Sequence, residues 1–131
     1  MTPGTIVHYP NFEFHDGSQA NKLLIVLNSG GKKPYLVLKT TSRQGKWRAA
    51  NEGCHADKGY FFLPARRDNF PENTWILLDD FYEVDAKQFL AAHFSGGAGL
   101  KGSLKGETLR AIINCARKSE DWSEHYDDLL S

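Results

Sequence analysis

Four apolar runs, Lys22–Leu27, Pro34–Thr41, Tyr60–Leu63 and Trp75–Leu78, constrain this chain more than any other feature. Each is too short for a stable helix and rich in β-branched or aromatic residues, so each reads as a strand. The unbroken apolar character of Lys22–Leu27 and Pro34–Thr41 marks strands buried on both faces. Thr5–Tyr9 is a further strand, interrupted by Pro10-Asn11. Phe12-Glu13-Phe14 alternates, and His15-Asp16-Gly17-Ser18 has turn chemistry. Pro64 ends the Tyr60 strand, Asn69–Asn73 is a turn, and Phe81–Val84 continues the Trp75 strand after a bend. Between Ser42 and Gly59 the chain is polar, basic and glycine-containing, the longest irregular stretch and a natural place for function.

Helical signals begin late. Asp85 with Gln88 three residues on fits a capping box. Phe89, Leu90 and Ala92 give a short helix that the glycines of Ser95–Gly99 break. Gly102-Ser103-Leu104 is briefly extended. Leu109, Ile112, Ile113 and Ala116 mark one face of an amphipathic helix over Glu107–Lys118. Ser119 is placed to cap a last helix carrying Trp122, Tyr126, Leu129 and Leu130 on one face. Five or six strands followed by helices predict a mainly β domain with C-terminal helices, a small, strongly bent antiparallel barrel. The expected division is one domain over residues 1–131, barrel about 4–84 and helical part about 85–131. The alternation of a parallel βαβ sheet is absent, which excludes a doubly wound nucleotide-binding fold.

With 131 residues, 40% of them hydrophobic, the chain can bury a core without covalent staples. Its two cysteines are too few for a disulfide framework. The N-terminus lacks a basic-then-apolar leader, and no apolar stretch approaches the roughly 20 residues of a membrane helix. The expectation is a soluble cytoplasmic protein with reduced thiols and no membrane contact. Net charge is zero, but Lys32 to Arg67 holds nine basic residues against Glu52 and Asp57, a local balance of +7. Acidic residues concentrate over Pro71–Asp85 and after Lys118. Such asymmetry can build an anion-attracting field on a neutral molecule.

Several segments resemble the PemK/MazF toxin family, in the family's order, from residue 4 to about 117. Gly4-Thr5-Ile6-Val7, Phe12-Glu13-Phe14-His15-Asp16-Gly17-Ser18 and Lys22–Asn28 are similar to its opening. Lys39-Thr40-Thr41-Ser42 resembles its Pro-Ile-Thr-Ser strand end. Thr74–Asp85 resembles its Ser-x-Val-Leu-x-Asp-Gln-Val-Arg-Thr-Val-Asp strand, and Gly102–Leu109 its Gly-x-Leu-x-x-Glu-x-Leu helix start. The resemblance implies an SH3-like antiparallel barrel of the PemK/MazF/CcdB kind, commonly a homodimer. It implies an endoribonuclease toxin that cuts single-stranded RNA without metal or cofactor, and an antitoxin protein that covers its RNA groove. Lys22 stands where the family has an arginine and Leu23 where it has proline. Thr41 and Ser42 match its hydroxyl pair.

Cutting RNA without metal makes the 2′-hydroxyl attack its own phosphate, which requires a base, an acid and positive charge at phosphorus. Lys22 is a point charge without the bidentate grip of a guanidinium. Thr41 and Ser42 can donate hydroxyl hydrogen bonds to phosphate. His15 and His55 are the proton carriers at neutral pH, and in such a barrel their two loops can face each other. Arg43, Lys46, Trp47 and Arg48, extended by Arg66 and Arg67, combine cations with an aromatic ring, the make-up of a single-strand RNA groove. Cys54-His55 with distant Cys115 lacks the paired spacing of a structural zinc site, so no metal is expected. A different class of reading keeps the barrel but makes it a catalytically inactive RNA- or protein-binding module.

Overall fold

The computed structural model describes residues 1–42 and 51–130. Among them seven strands form one antiparallel sheet: β1 (Thr5–Glu13), β2 (Gln19–Val26), β3 (Tyr35–Thr41), β4 (Gly53–His55), β5 (Tyr60–Leu63), β6 (Thr74–Val84) and β7 (Gly99–Ser103). Their order across the sheet is β4-β5-β6-β3-β2-β1-β7. Among the described residues, helix α1 (Ala86–Gly96) precedes the last strand, and α2 (Gly106–Ala116) and α3 (Glu124–Leu130) follow it. No helix among the described residues is long and apolar enough to cross a membrane.

Strand alternation divides the apolar residues between two faces. Ile25, Leu27, Leu36, Leu38, Ile76 and Leu78 join Ile112 and Ala116 of α2 and Leu129 of α3 in the main core. Val7, Leu24, Val26, Val37 and Tyr82 form a second cluster, with Phe89 of α1 against it. The central strands are therefore covered on both sides, which is why β2 and β3 read as unbroken apolar runs. The last helix packs on its own sheet: Phe81 meets Trp122 and Tyr126 edge-on or tilted. Asn28, buried, donates through Nδ2 to the carbonyls of Pro34 (2.9 Å) and Leu129 (3.0 Å) and accepts from the Leu36 N–H.

Asp85 caps α1 by accepting from the Gln88 N–H, while the Gln88 side chain accepts from the Asp85 N–H, completing the capping box. At Gly30, φ is +72° and a Cβ would lie 2.5 Å from the Tyr35 ring, so the turn into β3 requires glycine.

Local expectations are corrected or extended. Pro10-Asn11 interrupts the pairing of the first strand without splitting it. It sits in a bulge between Tyr9 and Phe12, and β1 runs through it. The irregular stretch after Ser42 contains β4 and a 3₁₀ turn at Ala56–Lys58. The glycine-rich stretch ends α1 as expected, and the extended piece at Gly102-Ser103 belongs to a longer strand, β7, that returns to pair with β1. Ser119 does not cap α3; its hydroxyl donates to the Leu78 carbonyl (2.5 Å) and ties the helical segment to β6.

The cysteines correct a larger expectation. Cys54 of β4 and Cys115 of α2 form a disulfide, their Cα atoms 5.6 Å apart and their positions 61 residues apart in sequence. The two cysteines are paired, against the expectation of reduced thiols. Closing a loop of that length restrains the unfolded chain by about 4 kcal/mol.

Candidate functional site

Lys22 lies on β2 opposite Tyr9 of β1 and is half-buried. The β1 bulge holds Asn11 at φ 54°, and its N–H donates to Asn21 Oδ1 at 3.0 Å. That bond stiffens the strand segment from which Lys22 projects. Two clefts adjoin this lysine. One, about 330 Å³, is lined by Lys22, by Thr41 and Ser42 at the end of β3, and by Phe70, Pro71 and Glu72 of the turn before β6. The other, about 320 Å³, is lined by Lys22, Phe14, His15, Lys39, Asp80 and Tyr82. Lys22 is thus the shared wall between the hydroxyl pair and His15.

The β3–β6 pairing shifts register between Leu38 and Thr40, placing a bulge in β6 between Ile76 and Phe81. Bulges re-aim side chains beside sites, and here Asp80 lies in the bulge. Its carboxylate gathers three partners. His15 Nε2 is 3.0 Å from Oδ1, Lys39 Nζ is 3.2 Å from Oδ2, and the Tyr82 hydroxyl donates to Oδ2 at 2.9 Å. The His15 ring stacks on Tyr82, with centroids 4.0 Å apart and planes 9° from parallel, and its backbone N–H donates to the Tyr82 oxygen. The ammonium groups of Lys39 and Lys22 lie 4.9 and 5.9 Å from the Phe14 ring centroid, within cation–π range. Burial, assisted by Asp80, pushes the Tyr82 phenol up to about 12, so it is a donor at neutral pH. The same Nε2 lies 3.3 Å from the Phe81 carbonyl, and the tautomer that directs Nε2–H at this carbonyl and at Asp80 leaves a lone pair on Nδ1, the arrangement of an oriented general base.

The neighbouring hydroxyls differ in kind. Thr40 is buried and donates to the Leu23 carbonyl at 2.7 Å, a strand-to-strand tie. Thr41 is half-buried and borders the first cleft, and Ser42 is exposed beside it. On the far side of His15 a broader cleft, about 730 Å³, is lined by Glu13, Asp79, Asp80, Glu83 and Asp121. That side repels anions, so a phosphate is directed to the lysine side.

No protein-family model matches the chain, and no curated protein matches it. The chemistry of these clefts rests on their geometry.

Of the residues singled out from sequence, Lys22, Thr41, Ser42 and His15 come together around the two clefts. His55 does not join them. It closes β4 at one edge of the sheet, its Nε2 2.7 Å from the Asn51 carbonyl and its ring against Tyr60. The expectation that the two histidine loops face each other gains no support: among the described residues no hydrogen bond, ion pair or ring contact joins His55 to His15. Arg67 pairs with Glu52, and Arg66 is exposed at φ 68° in the turn after β5. Neither lines the two clefts. Arg43, Lys46, Trp47 and Arg48 lie outside the described residues. Sequence reasoning missed Lys39, Asp80, Tyr82 and Phe14 as site members. Lys39 and Asp80 were visible only as charges, because nothing local says that β3 and β6 pair.

Proposed function

We propose that this chain is a metal-independent endoribonuclease acting on single-stranded RNA, on an SH3-like barrel of the PemK/MazF kind. What supports the reading is one arrangement: Lys22 borders both the cleft of Thr41 and Ser42 and the cleft of the Asp80-oriented His15. His15 takes the 2′-hydroxyl proton through Nδ1. Lys22 faces the phosphate, offsets the charge that grows there and protonates the leaving 5′-oxygen. Thr41 and Ser42 donate hydrogen bonds to the non-bridging oxygens, and Phe14 offers a ring for a base. The reading carries with it a cytoplasmic toxin, a homodimer and an antitoxin partner that occupies the RNA clefts.

The test is incubation of purified protein with a long mixed-sequence RNA in EDTA, beside Lys22→Ala, Thr41→Ala and His15→Ala. Discrete fragments that vanish in folded variants carry the reading. Intact RNA with every protein removes it.

A second reading, an RNA-binding module without catalysis, draws on the same site. Asp80 already holds both His15 and Lys39, and such closed pairing also suits recognition alone. RNA bound but uncut, with affinity lost on Lys22→Ala, would decide for it.

A further inference from the structure

β4 has three residues, Gly53–His55, and among the described residues it forms one edge of the sheet, paired to β5. β5 is different in character: Tyr60, Phe61, Phe62 and Leu63 are all buried. An apolar strand with an uncovered edge invites foreign pairing, and β4 is the element that covers this one. Three residues of ladder hold weakly by themselves. Beyond that ladder, β4 and its flanks are held by the Glu52–Arg67 ion pair and by the Cys54–Cys115 disulfide to α2.

The two sulfurs are unequal. Cys54 is exposed, while Cys115 is 1% exposed within the main core beside Ile112 and Ala116. We infer that this disulfide is a thiol-exchange latch on the β4 edge, opened by a small or protein dithiol that attacks Cys54 Sγ. The attacking thiolate forms a new S–S bond to Cys54, the Cys54–Cys115 bond breaks, and its electron pair leaves on Cys115 Sγ, which takes a proton. The second thiolate of the dithiol then attacks the reductant's own sulfur, closes a cyclic disulfide and releases Cys54 as a thiol. The dithiol is oxidised by two electrons and the protein disulfide is reduced by two. Cys115 remains in the core as a small apolar side chain, so the main core keeps its packing. What is lost is the tether of β4, and the backbone edge of β5 that β4 covers is exposed as a local event, its side chains staying in the core. This device is independent of any RNA chemistry.

The test reads amide exchange by NMR on the oxidised protein, the protein in dithiothreitol, and Cys54→Ala without reductant. The expected result is that residues 53–55 and the β5 amides facing them lose protection about tenfold or more. β2, β3 and β6 stay protected, and Cys54→Ala reproduces the pattern. A glutathione adduct formed under mild conditions should map to the Cys54 peptide. Three results overturn the latch: unchanged protection at β4 after reduction, loss of protection throughout the sheet, or an adduct on Cys115.

Discussion

His15 Nε2 lies 3.0 Å from Asp80 Oδ1, and the same carboxylate holds Lys39 and the Tyr82 hydroxyl. One acidic side chain in a β6 bulge therefore orients the histidine and positions a lysine. Replacing Asp80 by Asn removes the charge but keeps the shape. RNA cleavage should fall by about 10²-fold or more, as for loss of an oriented base. His15→Ala should fall at least as far, with thermal unfolding little changed, since the His15 side chain is 64% exposed. Cleavage rates and melting curves of the two variants together check this.

Lys22 separates charge from geometry. Lys22→Ala should lower cleavage about 10²-fold or more. Lys22→Arg keeps the charge and adds a planar fork but gives up a proton far less readily, so it should recover only part of the lost activity. An inactive Lys22→Arg protein with a native spectrum would mean that the ammonium itself, and not its charge, is needed.

Thr40 and Thr41 should behave in opposite ways. Thr40→Ala breaks the buried bond to the Leu23 carbonyl and should cost about 1–2 kcal/mol of stability. Thr41→Ala, at a half-buried residue bordering the cleft, should reduce cleavage more than it lowers the denaturation midpoint. Urea unfolding and the RNA assay, run on both, assign the two roles.

Tyr82 links stability to alkaline pH. Burial and Asp80 raise its phenol from 10 to about 12 in the folded protein. The neutral phenol is thus favoured by folding, and that stabilisation is complete below pH 10 and lost as pH rises toward 12. Denaturation midpoints should fall across this window, and Tyr82→Phe should flatten the slope. An unchanged slope in the variant would assign the alkaline loss to other groups.

Asn28 joins β2, β3 and α3 through its side chain. Asn28→Leu leaves the Leu36 N–H and the Leu129 carbonyl without these partners and should cost about 2–4 kcal/mol. Faster amide exchange in α3 than in α2 would identify the C-terminal helix as the part released.

Much of the fold was legible because the signals are local. The apolar runs of β2, β3, β5 and β6 name buried strands, and Asp85 with Gln88 names the start of α1 through hydrogen bonds within one turn. The spacing of Ile112 and Ala116 names the buried face of α2. Lys22 and Thr41 were singled out through a family resemblance, and they line one cleft where β2 and β3 pair. Tertiary structure alone decided the rest. β7 forms because β1 offers it an edge. Asp80 meets His15 only through the fold, and Cys54 meets Cys115 across 61 residues because α2 packs beside β4. Backbone preference, side-chain period and capping act over a few residues and are written in the sequence. Strand order, bulge position and cysteine pairing depend on which distant surfaces are buried together, and no short stretch of residues carries that choice.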